Sequence, residues 1–564
     1  MNKVVIIGGV AGGASAAARI RRLDENAKIV ILERGPHISY SNCSLPFYLS
    51  RVVENSDWLL MMTPERFKKQ YNIDVCRLCE AVAIDREKKL VQVKNLETGE
   101  MYSERYDKLV LAPGAAPIMP AGIKGIDADH VFGVRNVQDI CKLDQYLQEH
   151  QVEDVAVVGG GFIGIEVTEN LVKSGRRVHL IEGAQQVLAP FDEDMVQTLH
   201  KELDDHGVEL VLGDSVTEIQ PERVLCKSGR EIRATAVVMA VGVRPETALA
   251  RQAGLEIGET GGIAVNANGQ TSDPDIYAVG DAVEVYSELM HRKTRLTMAG
   301  PAQWQARAAA DHMYGRPSHV KGVLGSSVLR VFTLNAACTG LNERTAKQLG
   351  IPCQFAYVLP SDKVGIMPDC SPMFFKLLFE TPTGRILGAQ AIGHGEVDKR
   401  VNVIAAMIRM NGTLEDLKDL ELCYSPLFST AKDVVNYAAL VGLNLLEGQF
   451  RQVPVTQVRQ LVEENACIID VREPGEFARG HLINAVNIPL SQLRERLDEI
   501  PKDRNVYLHC RSSQRSYNAV MALTHLGYEN VYNISGSYLG FSLYEYFTDK
   551  TTSRKPIMTQ YNFN

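Results

Sequence analysis

Short apolar runs alternate with amphipathic stretches through the N-terminal part of the chain. The run KVVII at residues 3–7 leads into a glycine-rich turn, a helical pattern over 14–25 and a second apolar run at 28–32. The same order of strand, glycine turn, helix and strand recurs over residues 154–183. Strands that alternate with helices in this way are typical of parallel sheets, because parallel neighbours need a crossover connection. The pattern therefore predicts two similar α/β units.

The remaining pattern divides the chain further and predicts a domain organisation. Apolar strands that end in tight turns precede and follow the second unit, and a mixed strand–helix segment then leads to a polar stretch and a last α/β unit. The expected segments are, in chain order, 1–115 together with 245–324, 116–244, 325–446, a linker at 447–454, a unit at 455–548 and a loose tail at 549–564. The predicted fold class is α/β, with an α+β segment in the third position.

Composition and charge narrow the class of protein. The 564 residues are 45% hydrophobic and 23% charged, with a net charge of −8, which favours neither nucleic acid nor an anionic membrane as a partner. No apolar run reaches the roughly 20 residues that span a bilayer. The apolar start could pass for a signal peptide, but its glycines fit a strand-to-helix turn. We therefore expect mature structure there and a cytoplasmic protein.

The cysteine pattern argues against a disulfide framework. Eleven cysteines are scattered along the chain, and an odd count does not suit complete pairing. Cys76 and Cys79 form a CxxC, but their neighbours have the pattern of a strand, so we interpret them as packing residues. We expect no metal site.

The first glycine turn is GGVAGG at residues 8–13, in which Val10 stands at the middle glycine of a G-x-G-x-x-G frame. Gly8 suits the tight turn and Gly13 the close packing of helix on strand, while the helix N-terminus attracts a pyrophosphate. Glu33 ends the next strand, where a carboxylate binds a ribose hydroxyl. The turn therefore predicts a dinucleotide site. Its expected contacts are Gly8, Ala11, Gly13, Glu33 and Arg34.

The second turn, GGGFIG at 159–164, follows the same frame without a departure. Glu182 ends its following strand, and a carboxylate there accepts the 2′-hydroxyl of NADH and repels the 2′-phosphate of NADPH. NADH is therefore the predicted ligand, with NADPH as the alternative. The expected contacts are Gly159, Gly161, Ile163, Gly164, Glu182 and Gly242.

Two such sites, followed by TSDPDIYAVGDA at 271–282, resemble flavoproteins of the pyridine nucleotide–disulfide oxidoreductase family. The resemblance covers about 1–445. It implies an FAD-binding domain in two pieces (1–115 and 245–324), an NAD-binding domain at 116–244 and a dimerisation domain at 325–446, hence a homodimer. It also implies that hydride passes from the nicotinamide to the flavin and an electron pair then passes to a cysteine. Further expected FAD contacts are Asn42, Gly114 and Asp281.

The redox cysteine of this resemblance is Cys43, in SNCSLP at 41–46, where many relatives carry two cysteines. A position near a helix start is expected to lower its pKa. Three chemistries compete for a single thiol. In the first, Cys43 forms a sulfenic acid with peroxide or O₂; members of the family that do so carry a histidine in the first glycine turn, where this chain has Val10 and Ala11. In the second, Cys43 pairs with a distant cysteine as in glutathione reductase; that class needs a C-terminal histidine, which LELCYSPLFSTAKD lacks. The third chemistry is a mixed disulfide with a small-molecule thiol.

GGVAGGASAAARIRR followed by YSNCSLP is similar to coenzyme A-disulfide reductases and their persulfide-reductase relatives. This resemblance places Ser15, Arg19, Arg22, Ser39 and Asn42 around coenzyme A (CoA), although RIRR could instead be a solvated helix face. It also makes Tyr424 a residue that reaches the partner subunit's active site and Lys432 a further substrate contact. The chain departs from the family pattern at Tyr71 (a lysine in relatives), at Gln303-Trp304 (an Asn-Arg pair) and at Gly365-Ile366-Met367 (a loop with a tyrosine).

The last unit resembles a single-domain rhodanese over residues 468–490 and 506–516. Cys510 opens a six-residue loop between a strand and a helix, whose backbone N–H groups would form an anion-binding nest with Arg511 and Arg515. Such a loop stabilises a thiolate and its persulfide. Phosphatase or arsenate chemistry and an inactive binding domain are the alternatives. Asp470, Arg472 and His481 are expected to be structural.

Together these patterns predict an enzyme that uses NADH and FAD to reduce a persulfide, polysulfide or CoA disulfide through Cys43, while Cys510 handles sulfane sulfur. Tyr424 is expected to donate a proton or orient the substrate. The alternative enzyme is an NADH oxidase or peroxidase that uses a Cys43 sulfenic acid. The non-enzyme alternative is a redox sensor whose last domain docks a partner.

Overall fold

The computed structural model describes residues 3–563, which separate into two compact units. Unit 1 holds residues up to 184 and 211–324, and unit 2 holds 185–210 and the chain from 325 onward. Residues 185–210, which lie inside the segment expected to form an NAD-binding domain (116–244), belong to unit 2. Their helix α6 (Glu193–Asp205) lies in unit 2 because its apolar face, with Met195 and Leu199, is buried there.

Short strands and helices follow one another along the chain up to residue 324. The strands are β1 (Lys3–Ile7), β2 (Lys28–Glu33), β3 (Asp74–Arg77), β4 (Cys79–Asp85), β5 (Leu90–Asn95), β6 (Met101–Arg105), β7 (Lys108–Leu111), β8 (Ala115–Pro117), β9 (Val131–Gly133), β10 (Asp154–Val158), β11 (Arg177–Glu182), β12 (Glu209–Leu212), β13 (Val216–Gln220), β14 (Arg223–Cys226), β15 (Glu231–Arg233), β16 (Ala236–Met239), β17 (Val243–Pro245), β18 (Ile276–Ala278), β19 (Val285–Ser287) and β20 (Arg292–Thr294). The helices are α1 (Ala11–Leu23), α2 (Pro46–Leu49), α3 (Pro64–Tyr71), α4 (Val137–Glu149), α5 (Phe162–Lys173), α6, α7 (Ala248–Gln252) and α8 (Ala299–Met313).

Unit 1 contains the two predicted parallel sheets. The first has the order β18-β7-β1-β2-β3 and the second the order β12-β11-β10-β16-β9. In the first sheet, Ile6 of β1 lies opposite Ile31 of β2. The alanine-rich faces of α1 and α8 pack on the side of the sheet that carries these two residues, through Ala16, Ala17 and Ala309. Small side chains at a helix contact shorten the distance between the axes, which lets both helices cover one face of the sheet. The glycine turns lie at the carboxyl ends of β1 and β10.

Cys76 and Cys79 lie in β3 and β4 and are unpaired, like the other cysteines within residues 3–563. Cys79 is buried in the core between the first parallel sheet and the antiparallel sheet β4-β5-β6, and Cys76 packs against the same core. Both positions have the character of packing residues.

The elements from residue 325 onward belong to unit 2. The strands are β21 (Ser327–Val331), β22 (Leu334–Gly340), β23 (Cys353–Val358), β24 (Phe374–Glu380), β25 (Ile386–Gly393), β26 (Gln452–Val453), β27 (Cys467–Asp470), β28 (Ala485–Asn487), β29 (Val506–His509) and β30 (Val531–Ile534). The helices are α9 (Glu343–Gln348), α10 (Val397–Arg409), α11 (Leu414–Lys418), α12 (Val434–Leu446), α13 (Val458–Glu463), α14 (Pro474–Ala478), α15 (Gln514–His525) and α16 (Ser537–Thr552).

Unit 2 combines one antiparallel and one parallel sheet. The antiparallel sheet has the order β21-β22-β25-β24-β23 and carries α10 and α12. The parallel sheet has the order β26-β30-β29-β27-β28, with Cys510 directly after β29. Helix α16 packs on α6, where Lys550 forms an ion pair with Asp204 at 2.6 Å.

Two segments that looked unstructured from their polar composition are part of unit 2. The expected linker contains β26, which pairs with β30 through Gln452 and Asn533. The expected tail begins inside α16, and beyond that helix Ile557 and Met558 are buried. Backbone pairing and the burial of two apolar side chains therefore override the polar character of these stretches. The last tail residue, 564, lies outside the described residues.

A charged group lies inside the antiparallel sheet of unit 2. Lys376 is only 2% exposed, and its Nζ lies 2.8 Å from both carboxylate oxygens of Asp194, 3.3 Å from Asp192 and in contact with Glu343. The three carboxylates are close enough together to hold a cation. The Lys376 ammonium is the cation at their centre.

None of the helices formed by residues 3–563 combines the length and apolar character needed to cross a bilayer.

Candidate active site

The two glycine turns have the same geometry, although the first carries Val10. A Cβ on Gly13 would lie 1.9 Å from the Gly8 carbonyl oxygen, and a Cβ on Gly164 would lie 1.9 Å from that of Gly159. Only glycine allows the helix to approach the turn this closely. Each turn therefore brings a helix N-terminus against the end of its strand, as the binding of a dinucleotide pyrophosphate requires.

The two strand-end carboxylates lie over these turns in matching positions. Glu33 accepts hydrogen bonds from the backbone N–H groups of Gly9 (2.8 Å) and Gly35 (2.7 Å). Glu182 accepts hydrogen bonds from those of Gly160 (2.6 Å) and Ala184 (2.8 Å). Each carboxylate is thus held where a ribose hydroxyl would lie. At Glu182 its charge opposes a 2′-phosphate.

The other expected cofactor contacts lie around the two turns. Asp281, in the turn after β18, forms an ion pair with Arg135, whose Nη2 lies 3.5 Å from the position that a Cβ on Gly114 would take. Arg135 has no motif that would have marked it in the sequence. Around the first turn, Arg34 is exposed and donates to Glu246 at 3.2 Å, and Asn42 begins the short helix that carries Cys43. Around the second turn, Gly161 caps α5 and Ile163 lies exposed in the first turn of that helix. Gly242 follows β16 with a φ of +113°.

Cys43 lies in a single turn of 3₁₀ helix, Asn42–Ser44, directly before α2. Its side chain is exposed, yet the atoms packed around it remove part of its hydration. This partial burial and the negative charges of Glu166 and Asp281 raise the pKa of Cys43, with Arg135 opposing them. The expectation that a helix start lowers this pKa is wrong, because burial and two carboxylates raise it and helices this short have only a weak dipole.

Glu166 is a site residue that the sequence reasoning missed. It lies on α5, one turn after the second glycine turn, and burial and the neighbouring Glu169 raise its pKa to about 7. A carboxyl group that changes charge near neutral pH therefore acts on the Cys43 thiol. The signal was its place in GFIGIE, on the helix that follows the turn.

Replacing Glu166 with glutamine is expected to lower the pKa of Cys43, because a neutral amide no longer disfavours the thiolate. Above pH 7, where Glu166 is ionised, alkylation of Cys43 by iodoacetamide should become about threefold faster in the variant. The expected effect is this small because solvent near the two groups weakens the interaction between their charges. Below pH 6, where Glu166 is protonated, the rates should converge. Mass spectrometry of the alkylated peptide measures the rate.

The control for this experiment is Glu153→Gln, a surface position whose charge the Cys43 thiol does not feel. Equal alkylation rates in Glu166→Gln and the wild type at pH 8 would contradict the influence of Glu166.

A cavity of about 410 Å³ in unit 1 brings together the residues expected around CoA. It is lined by Ser15, Arg19, Arg22, Ser39, Met62, Phe67, Tyr71, Gln303, Trp304 and Arg307, with Ala14 and Ala18. Asn42 is not among them. Four predicted substrate residues therefore line the same cavity: Ser15, Arg19, Arg22 and Ser39. Three positions at which the chain departs from its relatives line it too: Tyr71, Gln303 and Trp304. The cavity offers three guanidinium groups and three aromatic rings.

The arginines around this cavity have different surroundings. Arg19 lies on the cavity wall, where its Nε donates to the buried Asp311 at 2.8 Å, and Arg307 lies 3.6 Å from the same carboxylate. Arg21 is buried and donates to the carbonyl oxygens of Tyr71 (2.7 Å) and Asn72, so it fixes the end of α3. The RIRR motif is therefore not simply a solvated face. Asp311, which holds Arg19, lies too far along the chain for a motif to reveal.

Cys510 lies in a well-formed loop between β29 and α15. It is 1% exposed, its N–H donates to Ser537 Oγ at 3.2 Å, and Ser516 Oγ lies 3.6 Å from its Sγ. Ser513 has a φ of +74° at the N-terminal end of α15, which curls the loop around the sulfur. That the backbone N–H groups of this loop form an anion-binding nest stays a prediction.

The charged residues of this loop pair with α14. Arg515 donates two hydrogen bonds to Glu476, at 2.6 and 2.8 Å, and this pairing lowers the pKa of Glu476 to about 2. Burial lowers the pKa of Arg511, with the nearby arginines adding to the effect and Glu476 opposing it. The loop therefore holds its positive charge close to the sulfur, with one carboxylate anchoring it.

The three residues expected to be structural in this domain make contacts of that kind. Arg472 is buried and binds Asp470 and the Gly480 carbonyl oxygen, the latter at 2.7 Å. The Nδ1 of His481 lies 2.9 Å from the carbonyl oxygen of Phe477, within its own turn. These side chains hold the turns after β27 and α14 in place.

Tyr424 and Lys432 lie in unit 2, in the segment between α11 and α12. Lys432 is exposed, and Tyr424 is 51% exposed together with Leu427 and Phe428. Cys43 lies in unit 1. A run of exposed apolar side chains is the usual mark of a surface that another chain covers.

Comparisons with known proteins agree with this arrangement. Family models match residues 2–306 (pyridine nucleotide-disulphide oxidoreductase), 327–434 (the dimerisation domain of that family) and 454–543 (rhodanese-like domain). Coenzyme A disulfide reductase from Staphylococcus aureus (strain bovine RF122 / ET3-1) is 32% identical over 441 residues, which cover 77% of this chain and 98% of that protein.

Two solved structures are similar over nearly the whole chain. Reduced CoADR-RHD from Bacillus anthracis is 43% identical and covers 96% of this chain and 98% of its own, with a TM-score of 0.93. The NAD-dependent persulfide reductase from A. fulgidus is 34% identical and covers 96% and 99%, with a TM-score of 0.91.

These matches confirm the predicted family and fold class. The family uses FAD and NAD(P)H, and the two glycine turns, in which a Cβ would block the approach of helix to strand, fit those two dinucleotides. The first family model alone spans more than half of the sequence. The chain therefore belongs to the pyridine nucleotide-disulphide oxidoreductase family and is an oxidoreductase of that family joined to a C-terminal rhodanese-like domain.

Proposed function

We propose that this chain is a homodimeric, cytoplasmic reductase that uses NADH and FAD to reduce a persulfide, polysulfide or CoA disulfide at Cys43, and that Cys510 handles sulfane sulfur. The observation that carries the proposal is the cavity lined by Arg19, Arg22 and Ser39, because guanidinium groups suit the phosphates of a CoA-like thiol. Ser39 lies four residues before Cys43. The names of the Staphylococcus, Bacillus and A. fulgidus relatives support the same class of substrate.

The cavity also bears on which thiol carries the sulfur. By the resemblance, Tyr71 and Trp304 stand where relatives carry a lysine and an arginine, and both rings line the cavity with Arg307. Aromatic rings suit the flat face of a base by stacking, and arginines suit phosphates. A nucleotide-bearing thiol such as CoA is therefore the proposed carrier. Glu182 supports NADH over NADPH, and the unpaired thiols of residues 3–563 support a reducing compartment.

Cys43 performs one of two sulfur exchanges, depending on the substrate. The Cys43 thiolate attacks a disulfide R–S–S–R to give Cys43–S–S–R and R–S⁻, or takes the outer sulfur of R–S–SH to give R–SH and Cys43–S–S⁻. FAD, which the first glycine turn and Glu33 would hold, would supply the electron pair that cleaves the new S–S bond, with NADH as the source of hydride. Glu166, with a pKa of about 7, holds a proton near Cys43 that can neutralise the departing thiolate.

The experiment that tests the role of Cys510 is a Cys510→Ser variant assayed for sulfide release from glutathione persulfide and for NADH oxidation with CoA disulfide. Sulfide release from persulfide that enters through Cys510 is expected to fall about 100-fold, because serine forms no persulfide. CoA disulfide, which has no sulfane sulfur, serves as the internal reference.

The matched control is Cys467→Ser, a half-buried cysteine on β27 of the same domain. If Cys510→Ser lost nothing with any persulfide, the relay would be excluded and the domain would need a separate role. Peroxide-driven NADH oxidation that survived the substitution, without sulfide release, would favour the oxidase or peroxidase alternative.

A further inference from the structure

A buried carboxylate joins two of the arginines that line the cavity proposed for CoA. Asp311, on α8, is 7% exposed, and the side chain of Arg19, on α1, is 15% exposed. The Nε of Arg19 donates to Oδ1 of Asp311 at 2.8 Å, and its Nη2 contacts the same oxygen. The Nε of Arg307 lies 3.6 Å from Oδ2. One carboxylate therefore holds Arg19 closely and Arg307 loosely.

The place of Asp311 in its own helix works against it. It lies in the last turn of α8, where the helix dipole disfavours a negative charge. Burial adds to this cost, because a carboxylate removed from water needs a charged or hydrogen-bonding partner. The contact between α1 and α8 is made largely by small apolar side chains such as Ala17 and Ala309. The partner that offsets both costs is the guanidinium of Arg19.

This carboxylate determines where the most enclosed cation of the cavity lies. Arg22 is exposed and the Arg307 side chain is 65% exposed, whereas Arg19 is largely buried. A free arginine side chain has many conformations, and ordering it when a ligand binds costs free energy. An arginine that a carboxylate already holds loses less freedom on binding. Its remaining N–H groups are still available to a phosphate.

Asp311 also carries a negative charge, which by itself repels a phosphate. That charge is compensated by Arg19 and lies close to Arg307, and three guanidinium groups against one carboxylate leave the cavity positive. The ordering of Arg19 therefore outweighs the repulsion.

We propose that Asp311 is a positioning residue that holds Arg19 in the conformation that binds a phosphate of a nucleotide-bearing thiol. The inference rests on the proposed function, in which this cavity takes the CoA part of the substrate. Asp311 would act through Arg19 and would contact neither the reacting sulfur atoms nor the flavin. It should therefore affect the affinity for CoA and not the chemical step.

The test is a double-mutant cycle on the full chain with its flavin, using Arg19→Ala, Asp311→Ala and the double variant. Calorimetry measures the binding of CoA, and NADH oxidation gives kcat and KM for CoA disulfide. Asp311→Ala is expected to weaken CoA binding and raise this KM about tenfold, with kcat within about twofold, because Arg19 must then be ordered on binding. The double variant should bind CoA no more weakly than Arg19→Ala alone.

The matched control is Asp24→Ala. Asp24 follows α1 and accepts a hydrogen bond from Tyr314, which follows α8, at 3.2 Å, and it is not among the residues that line the cavity. It therefore joins the same two helices without holding a cavity arginine, and its CoA affinity should stay within about twofold of the wild type. Glutathione persulfide is the matched substrate. Because it has no phosphate, its KM should not change in Asp311→Ala.

The possible results separate the cavity from the role of Asp311. Unchanged CoA binding in Arg19→Ala would overturn the assignment of the cavity to CoA. A loss in Arg19→Ala with unchanged or tighter binding in Asp311→Ala would overturn the positioning role alone, and so would additive losses in the double variant. A loss in Asp311→Ala that Asp24→Ala does not share, and that is not additive with Arg19→Ala, supports the role.

A second variant covers the case in which Asp311→Ala does not fold. Asp311→Asn keeps the shape of the side chain and one acceptor for the Nε of Arg19, and it removes only the charge. The same cycle is then expected to show a smaller loss of CoA affinity, about threefold. Tighter CoA binding in Asp311→Asn would show that the carboxylate acts only as an opposing charge and would overturn the proposal.

Discussion

Replacing Cys43 with serine is expected to reduce NADH-driven turnover of CoA disulfide and of persulfide by at least about 1,000-fold. A serine hydroxyl is not ionised near neutral pH and forms no S–S bond, so neither the mixed disulfide nor the persulfide on residue 43 can arise. NADH oxidation at 340 nm and sulfide release measure the loss. Reduction of the flavin by NADH alone should persist, because the dinucleotide sites at Glu33 and Glu182 do not contain the thiol.

The matched control for this variant is Cys76→Ser, a half-buried, unpaired cysteine on β3 of the same unit. It should keep turnover within about twofold, as expected for a conservative change away from the reacting sulfur. Full disulfide or persulfide turnover in Cys43→Ser would overturn the central claim, because no other thiol is assigned to receive electrons. A loss in both variants would instead point to a general effect on the fold.

Replacing Lys376 with methionine is expected to lower the free energy of unfolding of unit 2 by about 3–5 kcal/mol, because it leaves buried carboxylates without their cation. Asp194 and Asp192 are both buried, and the Lys376 ammonium is their shared partner. Methionine keeps the length of the side chain, so the loss reports charge rather than a cavity. Because the chain has several domains, hydrogen exchange of the Phe374–Glu380 strand measures the local effect better than one global transition.

The double variant Lys376→Met with Asp194→Asn should recover part of this loss, since it removes one of the unpaired charges. The control is Lys347→Met on the exposed face of α9, expected within about 0.5 kcal/mol of the wild type. Equal exchange protection in Lys376→Met and Lys347→Met would contradict the importance of the buried network.

The pH dependence of this network has a definite sign. Burial opposes the charged form, but Asp194, Asp192 and Glu343 outweigh it and raise the pKa of Lys376 above the ordinary lysine range. Its stabilising contribution is therefore complete below the pKa of an unfolded lysine, about 10.4, and is lost only at still higher pH. Stability of this strand should thus not change between pH 7 and 9 on account of Lys376.

The candidate site divides into a part that local sequence predicts and a part that it does not. The glycine turns, Glu33 and Glu182 lie within single strand–turn–helix–strand units, so their geometry follows from short-range contacts, and the valine at position 10 left it unchanged. The resemblance to CoA-disulfide reductases grouped Ser15, Arg19, Arg22 and Ser39, and the structure places these four in one cavity.

Other residues escaped prediction because their partners are far away along the chain. Asp311 holds Arg19 across 292 positions, and Arg135 pairs with Asp281 across 146. The expected direction of the Cys43 pKa was wrong because burial raises it, and because Glu166 and Asp281, which add to the effect, are distant along the chain. The expected tail was misjudged because the side chains after α16 are buried against elements that only the folded chain brings near.

By itself the sequence predicted the two dinucleotide-binding turns, Cys43 as the proposed redox cysteine and the Cys510 loop, because each motif closes over a few tens of residues where backbone geometry leaves little choice. Only the tertiary structure decided which distant residues act on these sites: the charge of Glu166 on Cys43, and the carboxylate of Asp311 on Arg19. Such neighbours depend on which distant surfaces pack together. That choice is made by the burial of whole helix and sheet faces, to which no single motif corresponds.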